Sequence, residues 1–127
     1  MADATRPSRS RRRTLDEYVA WAEFRYQIRR YTRLSEEHAH RAGVPTQHYQ
    51  MLLAIKGYPD GSPRIADLAE RMQLRHHSTV GLLDRMQERG LIERVPLGEG
   101  RAIAIILTDE GERVFDEIYE GLREERD

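Results

Sequence analysis

The 127-residue chain has no cysteine, which excludes disulfide staples, thiolate metal sites and thiol-based redox sensing within it. It has one lysine, Lys56, so nearly all of its positive charge is arginine. Arginine offers a planar fork to phosphates and to guanine, although codon usage alone would leave the same bias. No apolar run is long enough to cross a membrane and no signal-peptide pattern opens the chain, so the expected location is the cytoplasm, with no membrane partner. A glycine-rich phosphate loop, a cysteine nucleophile and a Ser-His-acid set in a structural context are all missing. No enzyme and no cofactor are therefore expected. What remains is one domain with a modest core, given 39% hydrophobic residues.

The net charge of −1 hides an uneven distribution. Residues 1–41 hold ten arginines against six acids, a local +4, and residues 102–127 hold three arginines against nine acids, a local −6. Binding follows the local field and not the sum. Residues 1–13 are polar, with Pro7 and the arginines Arg6, Arg9, Arg11, Arg12 and Arg13, and read as a disordered basic arm. Such an arm is either a solvated tail or a source of transient phosphate contacts.

The stretch from Ile65 to Gly90 organises the rest. Ile65, Leu68, Ala69 and Met72 fall at the i, i+3, i+4, i+7 spacing of one helical face, and Thr79, Leu82, Leu83 and Met86 repeat it after a corner at Leu74. Gly90 stands where the second helix should stop. The outer face of that second helix carries Arg75, His76, His77, Ser78, Val80, Gly81 and Arg85, with no acid between Arg75 and Leu83. A cationic, donor-rich second helix of such a pair suits a DNA-reading helix-turn-helix, in which that helix enters the major groove N-terminus first.

On the N-terminal side, Thr14-Leu-Asp-Glu17 is a capping box, and a long helix is expected from there to about Ala42, stopped by Gly43 and Pro45. It carries two apolar stripes, Leu15, Tyr18, Val19 and Ala22 on one side and Trp21, Phe24, Ile28 and Tyr31 on the other. Either both fold into one core, or the aromatic one meets a second copy of the chain, which is the favoured reading. Thr46 is expected to cap a helix reaching Lys56, and 57–63 to form a loop. Arg64 sits where a Ser or Thr cap is usual, with Asp67 compensating through the helix dipole. After Gly90 the period changes: Leu91–Val95 and Ala102–Leu107 read as strands, the second with Ile103, Ile105 and Leu107 on one face, joined by a tip at Pro96-Leu-Gly-Glu-Gly100. A hairpin placed there is a wing. Thr108 then caps a last helix with Val114, Phe115, Ile118 and Leu122 inward and an acidic outer face that should avoid DNA.

The expected fold is therefore mainly α with a small β-hairpin wing, a winged helix-turn-helix with flanking dimerisation helices. A single domain is expected over 14–127, with dimerisation helices at 14–42 and 109–126 and a DNA-binding lobe at 46–107.

Three stretches resemble the MarR-type winged-helix transcription regulators: Ile65-Ala-Asp-Leu-Ala-Glu-Arg-Met72, Leu83-Asp-Arg-Met-Gln-Glu-Arg-Gly-Leu-Ile-Glu-Arg94 and Leu107-Thr-Asp-Glu-Gly111. The resemblance spans roughly residues 18–122. It implies a homodimer on a palindromic operator of double-stranded DNA, with recognition helices in successive major grooves and wing tips in the flanking minor groove. Such regulators are commonly repressors, released by a small, often aromatic, anionic ligand bound between the dimerisation helices and the DNA-binding lobe. Three features depart from the family pattern. Glu99-Gly100-Arg101 stands where the wing tip usually has Asp-x-Arg, leaving Arg101 for the minor groove. Val80 and Gly81 replace a hydroxyl residue and an arginine. The chain ends soon after Leu122, where relatives usually have a further helix, so the dimer is expected to rest on the first and last helices.

Each candidate group has a plainer alternative. Val80 can touch a thymine methyl and Gly81 can let the helix approach, or both are positions nothing reads. Gly81 costs its helix roughly 1 kcal/mol against alanine. His76 and His77 diverge by about 100° on a helix, so DNA or solvent contact is favoured over metal, and no metal site is expected. If either donates to phosphate, binding tightens as pH falls through about 6.5. Trp21, Arg25, Tyr26, Arg29 and Tyr49, with Tyr31 beside them, form a candidate pocket for an aromatic acid, against the commoner role of such a stripe as core or interface. The rival function is a winged helix used for protein contact without specific DNA binding.

Overall fold

The computed structural model describes residues 13–59, 61–98, 100 and 103–126. Their order is α1 (Leu15–Arg41), α2 (Thr46–Lys56), α3 (Ile65–Met72), α4 (His76–Glu88), β1 (Ile92–Pro96), β2 (Ile103–Leu107) and α5 (Asp109–Arg126). The chain divides into two compact units between Leu34 and Ser35, inside α1. In the first unit α1 starts as its cap predicts, with the Glu17 N–H donating to Thr14 Oγ1 at 3.2 Å. No side chain from Arg13 to Arg33 is buried. Both apolar stripes carry exposed side chains, Trp21 at 62% and Phe24 at 55% exposure.

Three helices, α1, α3 and α4, end by the same pair of backbone bonds. At the end of α1 the Val44 N–H donates to the Ala39 carbonyl (3.1 Å) and the Gly43 N–H to that of His40 (3.0 Å). The same paired bonds close α3, from Leu74 to Ala69 and Gln73 to Glu70, and α4, from Leu91 to Met86 and Gly90 to Gln87. This closure needs a left-handed residue, which glycine adopts without strain. Gly43 (φ 82°) and Gly90 (φ 74°) comply, whereas α3 uses Gln73 at φ 54°. Gln73 Nε2 partly compensates by donating to the Glu70 carbonyl at 2.8 Å.

One cap expectation needs correction and another is extended. Thr46 is the first residue of α2 and Pro45 occupies the cap position, its fixed φ of −62° suiting the approach to a helix. Asp67 does more than complement the dipole of α3: its carboxylate accepts the Arg64 N–H at 2.8 Å.

The core gathers Tyr49, Met51 and Leu52 of α2, Leu68 of α3, Leu82, Leu83 and Met86 of α4, Leu91 and Ile92, Ile105 of β2, and Val114, Phe115 and Ile118 of α5. β1 and β2 pair antiparallel, Ile92 opposite Leu107 and Arg94 opposite Ile105. The expected inward face of β2 is only partly realised. Ile103 is 49% exposed, while Ala104 is buried. Ile103 pairs with Pro96 at the outer end of the ladder, where the hairpin has left the core, so strand alternation no longer decides burial there.

The wing joins α5 through Thr108. Its hydroxyl donates to the Gly90 carbonyl and accepts the Gly111 N–H at 3.0 Å, while its own N–H donates to the Leu91 carbonyl at 3.0 Å. Gly111 is dictated by proximity: a Cβ there would lie 2.0 Å from the Leu91 oxygen. Gly121 has a similar role, since a Cβ would meet His38 Nδ1 at 2.4 Å. Within the second unit the last helix is thus seated on Leu91 at one end and against His38 at the other.

Candidate nucleic-acid interface

At about 100° per residue, the buried side chains of α4 leave three other flanks. Thr79, Leu82, Leu83 and Met86 face inward, and the Thr79 hydroxyl, fully buried, donates to the Arg75 carbonyl at 2.9 Å. His77 and Gly81 lie opposite this face. Val80, Asp84 and Gln87 fall on the side toward the wing, and Ser78, Arg85 and Arg89 on the other, where Arg89 Nη1 donates to the Gly43 carbonyl at 3.2 Å.

The N-terminus of α4 begins at Arg75, with no side-chain cap bond and no acid in the first turn. The first N–H groups of the helix therefore keep their partial positive charge, and Arg75, His76 and His77 are all exposed around them. Ser78, Val80 and Gly81 are half-buried, and Arg85 is exposed. A Cβ on Gly81 would come within 3.4 Å of Arg85 Nη1, so the Arg85 guanidinium lies partly over the bare backbone of Gly81. The structure thus brings seven of the eight proposed DNA-contacting residues onto one helix and its leading turn. The eighth, Arg101, lies outside the described residues, as does Glu99.

The wing is tied to this helix by an interaction the sequence did not reveal. Arg94 of β1 donates from Nη2 to Asp84 Oδ1 at 2.9 Å and from Nη1 to Gln87 Oε1 at 2.8 Å. Asp84 and Gln87 are three residues apart on α4, which places them one above the other for a planar fork to span.

On the opposite flank, His48 of α2 is buried with neither ring nitrogen in a hydrogen bond among the described residues. Burial, reinforced by the charges of Arg89 and Arg85, lowers its pKa from 6.5 to about 4, so the imidazole is neutral at pH 7.

The residues of the candidate ligand pocket fall in both units. Tyr49 is 1% exposed and stacks on Phe115, with ring centroids 5.5 Å apart, as a core residue of the second unit. Trp21, Arg25, Tyr26 and Arg29 are exposed on α1 in the other unit. Trp21 packs edge-on against Phe24 at 6.0 Å. Among the described residues no three His, Asp or Glu side chains converge on a metal-sized site, and no helix is long and apolar enough to cross a membrane.

Comparison with known proteins agrees with this geometry. Residues 42–102 match the sequence profile of the MarR family. The HTH-type transcriptional repressor MdtR of Bacillus subtilis (strain 168) is 30% identical over 86 residues, 67% of this chain and 54% of that protein. The HTH-type transcriptional regulator FarR of Neisseria gonorrhoeae is 28% identical over 88 residues, 68% of this chain and 59% of that protein. The chain thus spans somewhat over half the length of these two relatives. Among solved structures, a MarR family protein from Bacillus stearothermophilus superposes with a TM-score of 0.73 at 23% identity, covering 89% of this chain and 79% of that one. RV1404 from Mycobacterium tuberculosis gives 0.71 at 21% identity, covering 89% and 77%. At these identities the structures establish the winged-helix fold, and the sequence matches establish kinship. The chain belongs to the MarR family.

Proposed function

We propose that the protein is a sequence-specific DNA-binding transcription regulator without enzymatic activity. It acts as a homodimeric repressor on a palindromic operator of double-stranded DNA. The observation that carries this reading is the leading end of α4, where an uncapped helix N-terminus is surrounded by exposed Arg75, His76 and His77 with no acid in the first turn. Phosphates are stabilised by free N–H groups and by the positive end of the helix dipole, while side chains further along reach base edges. Ser78, Val80, Gly81 and Arg85 are the proposed readers, with Arg101 assigned to the minor groove.

The two exposed stripes of α1 support the dimer, since contiguous aromatic surface of that kind is commonly covered by a partner. The sign of regulation follows the relative MdtR, which is named a repressor. Release by a small aromatic anion is proposed through Trp21, Arg25, Tyr26 and Arg29, without Tyr49.

The DNA reading is tested by neutralising Arg75 and Arg85 separately. Removing a bond to phosphate should weaken binding to all duplexes and flatten the dependence of log affinity on log salt by about one unit. If both variants bind as the wild type does, with the same salt dependence, the surface is a protein-contact face. The effector reading has its own readout, because Trp21 is the only tryptophan: benzoate should quench its emission saturably, and no quenching would remove the proposal.

A further inference from the structure

We infer that Arg94 is a positioning residue, which locks the wing to the recognition helix and neutralises an acid on that helix's wing side. The inference rests on the DNA reading above and adds to it a residue that touches no DNA.

Helix α4 and the hairpin are joined by only Arg89, Gly90 and Leu91, and they must enter different grooves of one duplex. The turn fixes where the hairpin starts, but a two-stranded ribbon leaving a core can still pivot about its root. Arg94 removes that freedom. Its fork engages Asp84 and Gln87 on neighbouring turns of α4, so any rotation of the hairpin must break two hydrogen bonds. The stem is constrained as well: Arg94 lies opposite Ile105 in the ladder, and with Ile65 and Ile103 these residues line one groove at the wing root. The Arg94 side chain is only 23% exposed, whereas that of Asp84 is 55% exposed.

Asp84 would otherwise be a liability. It is a carboxylate on the flank of a helix that approaches phosphates, and it is the first acid after an acid-free run. Paired with Arg94 it presents no net charge to the duplex. Ion pairs this exposed add little to folding stability, so removing the arginine should leave the protein folded and show itself in binding.

The experiment uses the full chain and a duplex that the wild type enriches from a random-sequence pool. Arg94→Gln and Arg94→Lys should each weaken binding by roughly tenfold, the size of a coupling inside one hydrogen-bonded network, with the salt slope unchanged. Lysine keeps the charge but lacks the fork, so it should not rescue. Asp84→Ala should also weaken binding, even though it removes a negative charge near phosphate. A phosphate-contacting Arg94 predicts the reverse: rescue by lysine, a flatter slope for Arg94→Gln, and tighter binding for Asp84→Ala.

A second readout needs no DNA. The chain has no cysteine, so spin labels at His77→Cys and Leu97→Cys are unambiguous, with labelled chain diluted into unlabelled chain. Their distance distribution should broaden in both Arg94 variants; an unchanged distribution overturns the lock. If the wild type enriches no duplex, the DNA reading fails, and the distance measurement alone decides whether Arg94 holds the wing.

Discussion

Replacing Gly111 by alanine offers the sharpest test of how the wing and the last helix are joined. The added Cβ would lie 2.0 Å from the Leu91 oxygen and 3.0 Å from its carbonyl carbon. Both are backbone atoms, so no side-chain rotation relieves the clash. The same oxygen accepts the Thr108 N–H at 3.0 Å, so moving it away from α5 also loosens the junction at Thr108. Overpacking of this kind costs about 1–3 kcal/mol, a broken hydrogen bond adds about 1, and alanine returns up to about 1 through helix propensity. A net loss of about 2–3 kcal/mol is expected, at the upper end of the overpacking range because the clash is backbone on both sides. Urea unfolding of wild type and Gly111→Ala at matched protein concentration measures it, as a lower midpoint with an unchanged slope. A variant as stable as the wild type, or more so, would refute the close approach of α5 to Leu91.

Gln73→Gly should raise stability by roughly 0.5–1 kcal/mol in the same assay, because a left-handed residue is strained for glutamine and not for glycine; a loss would show that its bonds to Glu70 outweigh the strain. The unfolded chain takes up a proton at His48 near pH 6.5 and the folded chain only near 4, so stability should fall as pH drops through that window. The total is about 3 kcal/mol at most, and His48→Leu should flatten the profile, whereas an unaltered profile would place the acid sensitivity elsewhere. Ile28→Arg, on the exposed stripe of α1, should shift sedimentation from dimer to monomer while leaving the helical signal intact. A variant that remains dimeric would move the interface off that stripe.

Much of this architecture is written locally. Thr14, Gly43 and Gly90 mark helix ends, and the spacing of Ile65 to Met72 and Thr79 to Met86 gives the two helices of the motif, because caps and periodicity depend on neighbours in sequence. Apart from the cap at Thr46, what the sequence leaves unread concerns pairings between distant residues. Tyr49 looks like any aromatic near a cleft until Phe115, from the other end of the chain, stacks on it. Ile103 has the strand period of a core residue, but the distance it lies beyond the core is not encoded in that period. The Arg94 fork could have been suspected from the i, i+3 pair Asp84 and Gln87, yet nothing local says that β1 folds back along α4. His48 carries no motif at all, and only its burial beside Arg85 and Arg89 distinguishes it from the exposed His76 and His77.

The central claim is specific DNA recognition by α4 and the wing. Its most direct test is fluorescence anisotropy with the DNA upstream of the protein's own gene, over a series of salt concentrations, against an unrelated duplex. Saturable binding far tighter than to the control, and steeply weakened by salt, is predicted. Equal weak binding to both duplexes, together with no enrichment from a random-sequence pool, would contradict it.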